Sequence, residues 1–237
     1  MSYSESSNYS DPSKDNRIVV EKPFLLICEG VDDYKFFNSY LNSDFIKENY
    51  PKFTDTIQVI SLKGNKNLRT SLNALQRVDG FTKLASNILI ILDAERDCTS
   101  TEKSIKATLK NVSLPVPDTP CSWSGDKLKV AYLLFPTLNS SLENGALEHF
   151  CMRIIKKDYR PDEVLVEIDK AMNNLRDNYS FDFSHEFKSR LHGFFSLTNE
   201  TVGKKIGEAA RVGVFDYSSP CFDSMNRLIE DAIKDFG

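Results

Sequence analysis

Residues 24–37 read FLLICEGVDDYKFF, an apolar run that stops abruptly at Glu29, Gly30, Asp32 and Asp33. A continuous apolar segment of strand length, here Lys22 to Cys28, is the pattern of a strand covered on both faces, as in a parallel sheet. Carboxylates crowded at the mouth of such an element repel one another and need neutralising. Two partners are open at this point. One is a metal ion. The other is the N-terminus of a helix beginning at about Tyr34, which Asp32 or Asp33 would cap, with Tyr34, Phe37, Tyr40 and Leu41 on its inner face.

The same alternation continues outward from this stretch. TIQVISL (56–62) reads as a second strand, and Leu68, Leu72, Leu75 and Val78 form the stripe of a helix after it. NILIILD (87–93) is a third strand, followed by a capping box from Thr99 to Glu102 and a helix through Ile105 and Leu109. A loop with three prolines (113–126) leads to a fourth strand, KLKVAYLLFP (127–136), and GALEHFCMRII returns to helix. Strands and helices alternating in this way predict an α/β fold, a mostly parallel sheet of about four strands flanked by helices.

Beyond about residue 158 the strand signal fades. Stripes through Val164, Ile168, Ala171, Met172 and Leu175, then Phe187, Leu191 and Phe194, then Val202, Ile206 and Ala209, predict helices. A last helix opens with Ser219 as cap and Pro220, and carries Phe222, Met225, Ile229, Ala232 and Phe236. The expected organisation is a flexible polar tail (1–19), an α/β domain (20–158) and a helical C-terminal part (159–237) packed on it.

Composition narrows the function classes. The chain has 237 residues, 41% hydrophobic and 27% charged, so an extended disordered protein is excluded. No apolar run approaches the roughly 20 residues that span a bilayer, and the polar N-terminus lacks an export signal, so a cytoplasmic location without membrane contact is expected. Five cysteines without C-x-x-C spacing read as reduced thiols, and His149, His185 and His192 show no ligand spacing. A net charge of −4 argues against simple coating of nucleic acid, while leaving room for a local basic patch. Trp123, in the proline-rich loop, reads as packed beneath it.

Functional groups of an open parallel sheet gather beyond the C-terminal strand ends. Strand one ends at Glu29, and strand three in LDAERD, with Asp93, Glu95 and Asp97 at alternate positions. If the two strands are neighbours, their carboxylates converge, and such a set suits Mg²⁺ or Mn²⁺. Asp97 also fits a role just ahead of the Thr99 cap.

These residues resemble a known family. ICEGVDDYKFF is similar to the E-G-x-x-D opening of Toprim domains, and IILDAERD to their D-x-D motif, with Glu95 replacing the second aspartate. LKGNKNL sits where such domains often carry a glycine after strand two, and PTLNSSLENGALEHF resembles the proline and G-x-L-E pattern of the OLD-type nucleases. The resemblance covers roughly residues 22–155.

It implies a Toprim-like fold and metal-dependent phosphodiester hydrolysis of DNA or RNA. Glu29 would be a metal ligand or general base, Asp33 a supporting or second-metal residue, Asp93 and Glu95 direct ligands, and Glu148 part of a second metal site. Lys204 or Lys205 would steady the phosphate. Lys63, Lys66, Arg69 and Arg96, in loops at the same end of the sheet, would supply the basic patch for nucleic acid. OLD-type proteins join this domain to an ATPase, and no G-x-x-x-x-G-K-[ST] loop occurs in the chain, so two alternatives stay open: the protein acts alone, as a short stand-alone form, or it recruits a separate ATPase partner. The alternative is a catalytically silent Toprim-like binding or regulatory module.

Overall fold

A computed structural model describes residues 19–62 and 68–234. The expected polar tail falls almost wholly outside these residues, as do Lys63, Lys66, the glycine of LKGNKNL and Phe236. The described chain runs β1 (Phe24–Cys28), α1 (Val31–Leu41), α2 (Asp44–Asn49), α3 (Pro51–Thr56), β2 (Ile57–Ser61), α4 (Leu68–Leu75), α5 (Asp79–Leu84), β3 (Asn87–Asp93), α6 (Cys98–Asn111), β4 (Lys129–Phe135), α7 (Leu147–Arg153), α8 (Pro161–Tyr179), α9 (Glu186–Ser196), α10 (Ile206–Arg211) and α11 (Asp223–Ile233). None of the described helices is long and apolar enough to cross a membrane.

All four strands are parallel, in the order β2-β1-β3-β4. Their apolar runs are continuous because both faces are covered. Successive side chains point to opposite faces. Phe24, Leu26, Cys28, Leu89, Ile91, Leu133 and Phe135 face one core, and Leu25, Ile27, Ile88, Ile90, Leu92 and Leu134 face the other, under α4 and α6.

The first core does not stop at the expected boundary near residue 158. Phe36 and Phe37 of α1 meet Phe135, Phe150, Phe215 and Phe222 in edge and stacked pairs, and Tyr40 stacks on Phe222 with ring centroids 4.9 Å apart. The buried Tyr40 hydroxyl donates to Asn226 Oδ1. Residues 159–234 thus complete the core over one face of the sheet. Trp123 is held there too, edge-on to Phe24 with its indole N–H donating to the Leu228 carbonyl at 3.0 Å, which is the packed role expected for it.

Several helix starts differ from the sequence reading. α1 begins at Val31, three residues earlier than expected, with Gly30 as the cap residue; Asp33 sits one turn in and reaches back to the Gly30 N–H. α6 is capped by Asp97 in place of Thr99, its Oδ1 accepting the Ser100 N–H at 3.0 Å. The 68–78 stripe is cut at Leu75, and Val78 caps α5. Before α11, Ser219 and Pro220 open a short 3-10 turn, and the α-helix proper starts at Asp223. The six-residue α2 and α3 carry one buried side chain each, Ile46 and Phe53, too few to mark a helical stripe.

Candidate functional site

The chain leaves β1 for β2 on one side and returns to β3 on the other, so the strand order reverses between the C-terminal ends of β1 and β3. A crevice forms at such a point because the connections on its two sides diverge. Glu29 follows the last residue of β1 and Asp93 is the last residue of β3. Carboxylate oxygens of Glu29, Asp93 and Glu95 lie within 4.8 Å of one another.

The loops after β3 and β4 fix this arrangement. Glu95 and Gly145 exchange two backbone hydrogen bonds of 2.8 Å each, a single antiparallel bridge between the DAERD and NGALE segments. The bridge holds Glu95 in the left-handed region at φ 60, uncommon for a residue with a side chain. Gly145, at φ 150, is required where it stands, since a Cβ there would lie 3.0 Å from Pro136 Cδ and 3.1 Å from His149 Nδ1. Two residues on, the Leu147 N–H opening α7 donates to Asp93 Oδ1 at 2.9 Å, so Asp93 also satisfies a helix terminus.

Asp33 and Glu148 join the group from α1 and α7. Both are buried. Asp33 Oδ2 accepts the Gly30 N–H at 3.2 Å, while its Oδ1 is buried with no hydrogen-bond partner among the described residues. Burial pushes the Asp33 carboxyl up to about 6, Glu29 and Glu148 adding repulsion and backbone N–H groups opposing it. Asp93 is driven well above the usual carboxylate range, first by burial and then by Asp33, Glu29 and Glu148. The Cys151 thiol is raised by burial and by Glu148, Asp33 and Asp93. Every large electrostatic influence on Asp93 is therefore another acid.

The residues fit a hard divalent cation. The donors are carboxylate oxygens only, the neighbouring buried Asp33 Oδ1 lacks a hydrogen-bond partner among the described residues, and the spread is close to that of oxygens sharing one ion at about 2.0–2.6 Å each. Glu29, Asp93 and Glu95 would hold it, with Asp33 and Glu148 beside them.

The remaining expected site residues are dispersed. Asp97 is outside the convergent group, its carboxylate used as the α6 cap. Lys204 sits ahead of α10 with its charge bearing on Glu208, alongside Lys35 and Lys205. α10 lies tightly on α1, where Gly207 donates to Asp32 Oδ1 at 3.3 Å and any Cβ at 207 would meet Lys35 Cβ at 2.5 Å. Asp32 is thus a link between helices and not the α1 cap. Among the described residues Lys188 of α9 pairs with one of these acids, 3.3 Å from Glu148 Oε1. Arg69 is exposed beside a cleft of about 450 Å³ lined also by Leu92, Ser100, Thr101 and Ser104. Arg96 is exposed and donates to the Ser184 carbonyl at 3.4 Å. Glu143 is paired with Arg153 at 2.5 Å and is not among the convergent acids.

The family model described as Protein of unknown function (DUF3226) matches residues 23–234, a span that contains every described strand and helix. The chain belongs to this family. No curated protein and no solved structure matches it. In this DUF3226 chain the strand-end acids were readable from sequence, whereas Lys188 was not. Its only sequence signal is a place on an amphipathic helix, which does not say what that helix overlies.

Proposed function

We propose that the protein is a metal-dependent phosphodiesterase acting on DNA or RNA, a nuclease of the Toprim and OLD-like kind. The observation that carries the reading is the meeting of Glu29, Asp93 and Glu95 at the reversal point of a parallel sheet. The E-G-x-x-D, D-x-E and G-x-L-E segments supply exactly the groups that lie there or beside them, in the order of the resemblance. Mg²⁺ or Mn²⁺ bound between these carboxylates would supply positive charge to an attacking water and to the leaving oxygen of an in-line displacement. Glu29 lies at the mouth of the crevice, where a carboxylate can orient a water or take its proton. Asp33 and Glu148 add negative charge that favours a second cation or a tighter first one.

A second reading has its own support. Asp93 caps α7 and Asp33 closes onto Gly30, so both carboxylates hold structure as well. A silent binding module, working with a partner such as an ATPase, would keep them for that reason. The two readings separate on incubation of the purified protein with labelled DNA and RNA, with Mg²⁺, with Mn²⁺ and with chelator. Metal-dependent cleavage that Glu29→Gln abolishes without unfolding the chain supports the enzyme. Undiminished binding of nucleic acid or protein, with no phosphodiester cut under either metal, supports the module.

A further inference from the structure

On the face of β3 opposite to Asp93, Leu92 lines a cleft of about 450 Å³ between α4 and α6. Its floor is apolar, made by the buried Leu68, Leu92 and Ile105. Its rim is polar: Arg69 of α4 stands across from Ser100, Ser104 and Thr108, which follow one another at four-residue spacing along α6. A helix packed on its neighbour carries aliphatic side chains at such positions. Short hydroxyls there do not fill the gap, and the cleft results.

The rim groups are uncommitted. A helical serine or threonine commonly returns its hydroxyl to the carbonyl one turn back. Thr101 beside them donates to the Ala94 carbonyl at 3.0 Å, but among the described residues the hydroxyls of Ser100, Ser104 and Thr108 make no hydrogen bond. Arg69 has no hydrogen bond or ion pair among them either, whereas Arg96, Arg153, Arg160, Arg176 and Arg190 each have a partner. The lining holds one charge, that of Arg69, and no carboxylate. The nearby acids of α6 and its cap are taken up elsewhere, Asp97 by the Ser100 N–H and Glu102 by Lys106 and the Tyr132 hydroxyl.

We propose that this cleft is a binding site for a nucleotide, with Arg69 and the α6 hydroxyls on its phosphate and the apolar floor under the rest. A guanidinium and hydroxyls are donors that match phosphate oxygens, and a positive rim without carboxylates disfavours a cationic ligand. A bare anion would leave the floor uncovered. The volume falls within the roughly 300–1,000 Å³ of small-molecule sites, so the phosphate is expected to carry an apolar or flat body. Among phosphate esters of that size, the choice of a nucleotide rests on the phosphodiester reading. Position agrees with it: Leu92 and Asp93 are consecutive and face opposite ways, and the Thr101 hydroxyl is bonded to Ala94, between Asp93 and Glu95. Cleft and acids are two sides of one strand end.

The test is titration calorimetry of the full chain in chelator, which keeps metal from the acids. The probes are adenosine monophosphate, uridine monophosphate, adenosine, inorganic phosphate and a short phosphorylated oligonucleotide. The nucleotides are expected to bind at least about tenfold more tightly than adenosine or inorganic phosphate. Arg69→Gln should weaken them by about tenfold or more, the double variant Ser100→Ala, Ser104→Ala by about three- to tenfold, and Arg77→Gln, an exposed arginine outside the lining, not at all. Arg69, Ser100 and Ser104 are exposed, so circular dichroism and unfolding without ligand should stay as in the parent chain. Tighter binding of the oligonucleotide than of either mononucleotide, with the same loss in Arg69→Gln, places part of a strand in the cleft; mononucleotide binding at least as tight makes it a site for the free nucleotide. No saturable nucleotide binding, equal affinity in parent and Arg69→Gln, or inorganic phosphate bound as tightly as the nucleotides overturns the proposal. Cleavage of DNA or RNA without nucleotide binding in chelator defeats this inference alone; nucleotide binding by a chain that cuts nothing under either metal defeats the phosphodiester reading alone.

Discussion

Replacing Asp33 by Asn should stabilise the metal-free protein, a direction opposite to that of most substitutions of a buried polar residue. Its carboxyl is 8% exposed and is raised from 3.8 to about 6. An acid raised on folding binds more protons folded than unfolded between those two values, so stability falls as pH rises through that window and stays low above it. At 1.36 kcal/mol per pH unit the penalty at neutral pH is about 3 kcal/mol. Asn keeps the shape, can still accept the Gly30 N–H, and turns an amide N–H toward acids in place of the unpartnered oxygen. Urea unfolding in chelator at about pH 7.5 should therefore give a gain of about 2–3 kcal/mol for Asp33→Asn, which is about 4–12 °C in Tm for a chain of this size. At about pH 3.5 the gain should shrink to about 0.2 kcal/mol, because Asp33 is then protonated when folded and mostly protonated when unfolded. Added Mn²⁺ should reverse the order, stabilising the native chain more than the variant. A variant less stable than the native chain at pH 7.5 in chelator, or an equal gain at both pH values, would refute the argument.

Glu148→Gln should lower metal-dependent cleavage by at least roughly tenfold, about 1.4 kcal/mol of transition-state stabilisation, and Glu143→Gln should hardly alter it; equal effects would remove Glu148 from the site. Lys188→Met should tighten Mn²⁺ binding measured by calorimetry by about three- to fivefold, since an exposed lysine competing for Glu148 is worth up to about 1 kcal/mol; unchanged or weaker binding would show that the lysine does not compete. Asp97→Ala should cost about 1 kcal/mol in stability through the lost α6 cap and leave metal affinity alone, which a matched denaturation and calorimetry pair would check.

The strands and their acidic ends were legible in the sequence for one physical reason. A strand buried on both faces must be apolar throughout, so the residue at which the run ends marks the sheet edge, and Glu29 and Asp93 stand at such ends. Legibility failed where one pattern serves two outcomes. Phe187 falls on the apolar stripe of Leu191 and Phe194 by spacing, yet lies at the tip of the α8–α9 hairpin and is 45% exposed. Asp97 alternates with Asp93 and Glu95, yet turns back to cap its own helix. The role of Lys188 depends on which loop α9 overlies, a tertiary fact that no local period records.

Packing also decides how much the acidic cluster can move. Glu95 and Gly145 are bridged, Asp93 is bonded to the first turn of α7, and α7 rests with Phe150 and Cys151 fully buried in the core that α1 and α11 complete. The acids of β3 and α7 are consequently parts of one rigid unit, and Asp33 is fixed separately through α1 and Gly30. Repulsion within this set cannot be relieved by swinging the backbone apart without breaking those bonds. It is relieved instead by a proton, as the elevated Asp33 and Asp93 carboxyls record, by Lys188 at Glu148, or by a cation. A proton on Asp33 is given up above about pH 6, while burial and the neighbouring acids favour one on Asp93 as well. Lys188 reaches only Glu148, at the margin of the group. Under the proposed function a divalent ion held by Glu29, Asp93 and Glu95 would neutralise the centre of the cluster, and the backbone bonds that fix Asp93 and Glu95 would preorganise its ligands.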